Sequence, residues 1–126
     1  MTPAPARLRL GVVGAGNWGR NHVRTAATLA DAELVAVCDT DPKTRERIAR
    51  QYPETLVTDD VAALLERADA VIVASPAGTH AAVARRCIEA GKPCLVEKPF
   101  ALTVRDAEGV AALAVERKVP VLAGHL

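Results

Sequence analysis

Aromatic side chains are scarce in this chain of 126 residues, which has one Trp, one Tyr and one Phe. Its core must therefore be built from Val, Leu, Ile and Ala, and these residues suit the thin layers of an α/β sandwich better than a β-barrel. A chain of this length fits one domain that buries roughly 65% of its unfolded surface. We expect a single domain over residues 1–126.

The chain has no surplus of either charge, because 16 Lys and Arg face 15 Asp and Glu. A nucleic-acid surface needs clustered basic residues, whereas here they are scattered, so we expect no nucleic-acid partner. The N-terminal segment 1–7 lacks the apolar stretch of a signal peptide, and no run of 18 apolar residues occurs. We therefore expect no membrane segment and a cytoplasmic protein.

Cysteine is also rare: Cys38, Cys87 and Cys94 are an odd number without C-x-x-C spacing. Apolar neighbours predict reduced, structural thiols in a reducing cytosol rather than a disulfide or a metal site. The three histidines share no metal-ligand spacing, so no metal site is predicted. They are His22, His80 and His125.

Strand and helix patterns alternate along the chain, which is typical of a parallel sheet covered on both faces. Six strands are predicted, at Leu8–Val13, Glu33–Cys38, Leu56–Val57, Ala70–Ala74, Cys94–Glu97 and Val119–Ala123. Helices are predicted at Trp18–Leu29, from Asp41-Pro42 to Gln51, after Asp59 and Asp60, at Thr79–Ala90 and at Thr103–Lys118. The fold prediction is a doubly wound Rossmann sheet of order 3-2-1-4-5-6.

The glycines after the first strand, Gly14, Gly16 and Gly19, have the spacing G-x-G-x-x-G. In a dinucleotide site the first allows a sharp turn, the second leaves room for the pyrophosphate, and the third lets the helix approach the sheet. The helix N-terminus then directs free N–H groups at the phosphates. The strand and helix context predicts a nucleotide-binding βαβ unit.

Asp39 ends the second strand, twenty residues after Gly19. A carboxylate there accepts hydrogen bonds from the adenosine ribose and repels a 2′-phosphate, and Thr40 offers no cation. We therefore predict NAD as the cofactor rather than NADP. A methyltransferase that uses S-adenosylmethionine also has a glycine loop and an acid, but it has no need of Lys98 and Pro99.

Other candidates follow the fourth and fifth strands, at the same edge of the sheet as the glycine loop. Lys98 faces the crevice, where its ammonium group would polarise a substrate oxygen, or it is a solvated turn residue. The Lys98–Pro99 bond is of the type that occurs cis, and a cis bond would fix the direction of the lysine. Ser75, Pro76 and Thr79 either line the nicotinamide ribose or, for Thr79, cap a helix.

Three more residues have two interpretations each. His80 either reaches the substrate or cofactor or is only a polar residue of the first helical turn. Trp18 either lies over the phosphates or packs, with packing favoured because large aromatics usually serve burial. Asn17 either donates to the nicotinamide half or tolerates a strained turn.

The segments G-A-G-N-W-G-R-N-H at 14–22, C-D-T-D-P at 38–42, S-P-A-G-T-H at 75–80 and E-K-P-F at 97–100 resemble the N-terminal domain of Gfo/Idh/MocA oxidoreductases. The resemblance implies NAD(P) binding and a sugar, cyclitol or nucleotide-sugar substrate. It implies that Lys98 is the active-site lysine before a cis Pro99, and that Asp39 and Glu97 contact the adenosine and nicotinamide riboses. The terminal G-H-L at 124–126 and the form G-N-W-G-R-N-H at 16–22 most resemble the branch that oxidises UDP-N-acetyl aminosugar uronates.

The resemblance also implies a second α/β domain with a substrate pocket and a catalytic His or Asp, which does not follow strand six here. We therefore expect this chain to bind cofactor without turnover. The alternative is an isolated, non-catalytic NAD-binding module. In either case an uncovered strand edge predicts self-association into a homodimer or larger assembly.

Overall fold

The computed structural model describes residues 7–124, and it shows one six-stranded sheet flanked by five α-helices. The strands are β1 (Leu8–Val13), β2 (Ala32–Cys38), β3 (Leu56–Thr58), β4 (Ala70–Val73), β5 (Cys94–Val96) and β6 (Val121–Ala123). The helices are α1 (Gly19–Thr28), α2 (Pro42–Gln51), α3 (Val61–Arg67), α4 (His80–Glu89) and α5 (Val104–Arg117). His125 and Leu126 lie outside the described residues, so the structure says nothing about His125, the third of the histidines considered as metal ligands.

All five strand pairings are parallel, and the order is β3-β2-β1-β4-β5-β6. The predicted doubly wound topology is therefore confirmed. Because parallel strands end at a common edge, the loops after β1, β2, β4 and β5 meet in one crevice.

The core has two parts, one on each face of the sheet. On one face, Val23 and Ile48 of α1 and α2 pack against residues of β1 and β2. On the other face, Leu64 of α3 packs against β1 and β2, Ile88 of α4 packs against β4 and β5, and Val110 of α5 joins the same cluster beside α4. Aliphatic side chains form both clusters, as the scarcity of aromatic residues required. The three cysteines are buried and unpaired.

Side chains cap the N-termini of α2, α3 and α5, close to where the sequence predicted that these helices begin. Asp41 caps α2, since its carboxylate accepts a hydrogen bond from the Thr44 amide, and Pro42 follows at the first helical position. Asp60 caps α3, whereas Asp59 precedes the cap. Thr103 caps α5 through its hydroxyl and the Asp106 amide.

Several boundaries differ from the prediction by one or two residues, and two of these differences have a visible cause. Strand β6 begins at Val121 instead of Val119, because Lys118 adopts a left-handed conformation at the end of α5 and the Val119 amide then bonds to the Ala114 carbonyl. The helix predicted from Thr79 begins at His80, after a single 3-10 turn over Ala77–Thr79. In both places, backbone N–H groups beside a helix terminus make hydrogen bonds that the sequence pattern did not predict: Val119 bonds to Ala114, and Thr79 bonds to Pro76.

Candidate functional site

The glycine loop after β1 shows two of the three predicted steric roles, those of Gly14 and Gly19. Gly14 has φ +92°, and a Cβ there would collide with the Ser75 backbone. At Gly19, a Cβ would collide with the Gly14 carbonyl, so this glycine brings α1 close to the sheet. Gly16 is different, because a Cβ there meets no atom within 4 Å. Packing within the fold therefore does not require a glycine at position 16. The space beside the loop at this position is open to a ligand.

Asp39 lies at the end of β2, beside the glycine loop. One of its oxygens, Oδ2, accepts a hydrogen bond from the Ala15 amide at 2.8 Å, and Oδ1 accepts one from the Asp41 amide at 2.9 Å. A carboxylate has about four acceptor positions, so two positions stay open to ribose hydroxyls. With Gly14, Thr40 and Pro76 it borders a cavity of about 210 Å³.

The turn after β4 separates this cavity from a second one. Ser75 lines both cavities. Pro76 and Thr79, which were predicted to lie beside the nicotinamide ribose, line only the cavity beside Asp39 and not the one beside Lys98. The Thr79 hydroxyl is 2.6 Å from the Pro76 carbonyl oxygen and 2.7 Å from the Ser75 hydroxyl. Thr79 is the N-cap residue of α4, as one interpretation predicted, but its side chain makes no capping hydrogen bond to the helix.

The second cavity, of about 300 Å³, shares Ser75 with the first and is bordered by Trp18 of the glycine loop. It is lined by Trp18, Ala74, Ser75, Ala77, His80, Glu97 and Lys98. The exposed Lys98 follows β5, and the Lys98–Pro99 peptide bond is cis, as predicted. Asp39 and Gly14 thus border one cavity, Lys98 and Trp18 border the other, and Ser75 borders both.

Glu97 is a hydrogen-bonding centre of the second cavity. Its Oε1 lies 2.7 Å from Nε2 of His22, and its carboxylate also accepts hydrogen bonds from the Trp18 indole and the Lys98 amide. Partial burial is the largest single influence on its pKa and raises it. The hydrogen bonds from His22 and Trp18 together outweigh burial, and the pKa of Glu97 lies below its ordinary value.

Trp18 contacts a neighbouring loop, but its side chain is not buried. It is 51% exposed and lines the cavity beside Lys98. The preferred interpretation, burial, was therefore wrong, and the indole stands where a ligand in this cavity would meet it. Asn17 is exposed in the same turn and lines neither cavity.

His80 is the first residue of α4, so it is a polar residue of the first helical turn, as one interpretation had it, but neither of its ring nitrogens is free. It is only 2% exposed. Its Nδ1 lies 2.8 Å from the Pro99 carbonyl oxygen and its Nε2 lies 2.6 Å from the Ser75 carbonyl oxygen. Its ring borders the second cavity, but both ring nitrogens are within hydrogen-bond distance of backbone carbonyl oxygens. Neither nitrogen is therefore available for the predicted polar contact with a ligand.

Sequence reasoning assigned no role to His22 or Arg47. His22 lies in the first turn of α1, three residues after Gly19, and so faces the edge of the sheet where β5 ends. That position relative to the glycines was the available signal. Arg47 of α2 donates to the Ala15 carbonyl at 3.0 Å, and no sequence feature distinguished it from the other arginines of α2.

Within residues 7–124, no group of three His, Cys, Asp or Glu side chains is placed to hold a metal ion. Among the helices that the structure describes, none is both long enough and apolar enough to cross a membrane.

Comparison with known proteins identifies the family. Residues 8–125 match the family model described as "Oxidoreductase family, NAD-binding Rossmann fold" of the Gfo/Idh/MocA group. Inositol 2-dehydrogenase 1 of Saccharopolyspora erythraea is 43% identical over 109 residues, which cover 83% of this chain and 32% of the relative. The UDP-N-acetylglucosamine 3-dehydrogenase of Acidithiobacillus ferrooxidans is 34% identical over 119 residues, covering 94% of this chain and 37% of the relative.

Among solved structures, GenD2 from gentamicin A biosynthesis in complex with NAD superposes with a TM-score of 0.88 at 32% identity, covering 98% of this chain and 37% of that one. This chain spans about a third of the length of the curated relatives that it matches. The methyltransferase interpretation has no support among these matches. The chain belongs to the Gfo/Idh/MocA oxidoreductase family, of which it forms the NAD-binding Rossmann domain.

Proposed function

We propose that this chain binds NAD for a dehydrogenase that removes hydride from a ring hydroxyl of a cyclitol, sugar or nucleotide-sugar. The observation that carries the proposal is the pair of cavities that border the glycine loop at Gly14 and at Trp18, one lined by Asp39 and the other by Lys98. The unused space at Gly16 lies beside the same loop. A dinucleotide has two nucleoside halves joined by a pyrophosphate, and this arrangement suits those three parts.

Asp39 holds the adenosine ribose in this proposal. The two acceptor positions left on its carboxylate suit the two ribose hydroxyls, whereas its negative charge repels a 2′-phosphate. Gly14, Ser75, Pro76 and Thr79 form the adjoining wall. We therefore favour NAD over NADP.

Lys98 is the catalytic residue in this proposal, and NAD supplies the hydride acceptor. The Lys98 ammonium donates a hydrogen bond to the substrate oxygen and stabilises the negative charge that develops there as hydride leaves. Glu97 has one acceptor position left for the nicotinamide ribose after its three protein donors. Trp18 forms the wall facing them.

The substrate proton needs an acceptor, and this cavity provides none that is free. Its titratable lining residues are His80, Glu97 and Lys98. His80 and Glu97 are held by hydrogen bonds within the chain, and Lys98 carries the charge that polarises the oxygen. We therefore propose that this chain alone binds cofactor without turnover, and that the acceptor belongs to a substrate-binding domain.

Titration calorimetry with NAD and NADP tests the binding proposal, and NADH formation from myo-inositol and from UDP-N-acetylglucosamine tests turnover. We expect NAD to bind more tightly than NADP and neither substrate to be oxidised. Lys98→Met should leave binding of ADP, which lacks the nicotinamide half, unchanged. Absence of NAD binding would overturn the proposal, and turnover by this chain would overturn its non-catalytic part.

We also propose that the chain self-associates through the edge at β6. This strand has three residues, and Leu122 is 65% exposed beside an apolar groove that includes Ile72 and Leu95. An unpaired strand edge next to apolar surface favours pairing with a second copy. Sedimentation of the wild type and of Leu122→Lys should show a dimer that the charged variant weakens, whereas a monomer at high concentration would exclude it.

A further inference from the structure

Lys98 follows β5 between two residues that are each held by a histidine. On one side, the Glu97 carboxylate bonds to His22 of α1. On the other, the Pro99 carbonyl oxygen bonds to His80 of α4. Because α1 and α4 pack on opposite faces of the sheet, the segment 97–99 is held from both faces. We call His22 and His80 together the histidine clamp.

The His22 contact is short and partly protected from water. Its Nε2 lies 2.7 Å from Oε1 of Glu97, and the side chains are 22% and 15% exposed. A hydrogen bond to a carboxylate is stronger than one between neutral groups, and partial burial strengthens it further. The direction of the Glu97 side chain, and with it the start of the segment, is therefore fixed relative to the glycine loop.

The His80 contact is almost completely buried. The ring spans the loops after β4 and β5, with the Ser75 and Pro99 carbonyl oxygens 2.6 and 2.8 Å from its two nitrogens. Carbonyl oxygens only accept, so the ring donates wherever its nitrogens carry hydrogen. A buried polar ring lowers stability unless such bonds are made. The contact at Nδ1 holds the Pro99 end of the segment to α4, and the contact at Nε2 directs the ring toward the turn at Ser75.

We propose that the histidine clamp positions Lys98, so that the residues beside the lysine are fixed while its own side chain is exposed to the cavity. His22 and His80 are thus positioning residues, with no contact to substrate in their role. This inference rests on the proposed function, because it takes the cavity beside Lys98 as the nicotinamide site. It predicts that loss of either contact weakens binding of the nicotinamide half and leaves the adenosine half unaffected.

Isosteric substitutions separate the hydrogen bond from the bulk of the ring. The amide nitrogen of Asn stands near the position of a histidine Nδ1, and that of Gln near Nε2. His22→Gln and His80→Asn therefore keep the donors to Glu97 and Pro99, whereas His22→Asn and His80→Gln remove them. Gln should therefore preserve NADH affinity at position 22 but lower it at position 80, and Asn should do the reverse. A general loss of stability would not reverse the order of the two substitutions between the positions.

The readout is the dissociation constant of NADH compared with that of ADP, on the wild type and all four variants. We expect His22→Asn and His80→Gln to lose about tenfold in NADH affinity, the size of one lost hydrogen bond, while His22→Gln and His80→Asn stay near the wild type. ADP affinity should be unchanged in every variant, which also verifies folding.

Equal NADH affinities across the four variants would overturn the clamp, as would parallel losses for NADH and ADP. Equal losses for Asn and Gln at one position would overturn it as well. If a His80 variant fails to fold, the partly exposed His22 pair decides the question. A wild type that binds ADP but not NADH contradicts the proposed nicotinamide site itself, and that result is distinct from any difference between variants.

Discussion

The Ala15 amide donates to Oδ2 of Asp39 at 2.8 Å, and this bond ties the glycine loop to the end of β2. The other oxygen of Asp39 accepts from the Asp41 amide, just before α2. One carboxylate therefore shapes two loops and still has acceptor positions facing the cavity. Its substitution should change cofactor choice more than it changes the fold.

Asp39→Asn should lower NAD affinity by about tenfold to a hundredfold, because bonds to a charged acceptor are replaced by bonds to a neutral one. NADP affinity should rise, since the repulsion is lost while the guanidinium of Arg45 stays beside the carbonyls of residues 39 and 40. Calorimetric titration of both cofactors measures this. Asp59→Asn, at the edge of the same cavity, is the matched control. Equal losses for NAD and NADP would contradict the assigned role.

Substitution of two glycines of the loop should have different effects, at Gly16 on NAD affinity and at Gly19 on the free energy of unfolding. Gly16→Val should abolish NAD binding yet change the free energy of unfolding by no more than about 0.5 kcal/mol, because a Cβ there meets nothing. Gly19→Val should destabilise by about 3 kcal/mol, because its side chain would collide with the Gly14 carbonyl. Urea denaturation and calorimetry test both, and wild-type affinity in Gly16→Val would exclude a phosphate site at this loop.

Trp18 should report cofactor binding directly, since it is the only tryptophan and lines the cavity beside Lys98. Its half-exposed indole should be quenched, with energy transfer, when NADH enters that cavity. ADP should leave the emission unchanged, because its nucleoside occupies the cavity beside Asp39. An equal response to ADP and NADH would reverse the assignment of the two cavities.

Cys38 should make stability depend on pH in the alkaline range. Burial, followed by the nearby carboxylate of Asp39, raises its pKa from 9.0 to about 11. Between these values the unfolded thiol has lost its proton while the folded one keeps it, so stability present below pH 9 is lost as pH rises toward 11. Thermal unfolding between these pH values should show this slope, and Cys38→Ala should reduce it. Rapid alkylation of native Cys38 at pH 8 would contradict the shift.

The sequence predicted the sheet because its signals are local. Continuous apolar runs, helix caps such as Asp41 and the glycine spacing each report on a few neighbouring residues. The order of the strands followed from the family pattern and from the rules for parallel crossovers. Position 39 was identified for the same reason, as it ends a strand at a fixed spacing from the glycines.

The contacts within the site were beyond sequence reasoning because they join distant positions. His22 meets Glu97 only once α1 and β5 are both packed on the sheet, and the burial of His80 depends on the course of the loop around Pro99. An exposed and a buried histidine look alike in a helical pattern. Trp18 was misjudged for a related reason, since the general preference of aromatics for burial is overridden in a loop that borders a cavity.

The peptide groups around Ala15 are held at both ends, the amide by Asp39 and the carbonyl by Arg47 of α2. A loop that is already in its final shape loses little conformational entropy when a ligand arrives, so more of the contact energy appears as affinity. The rate of association should then rise linearly with cofactor concentration, without the plateau that a slow loop rearrangement would impose.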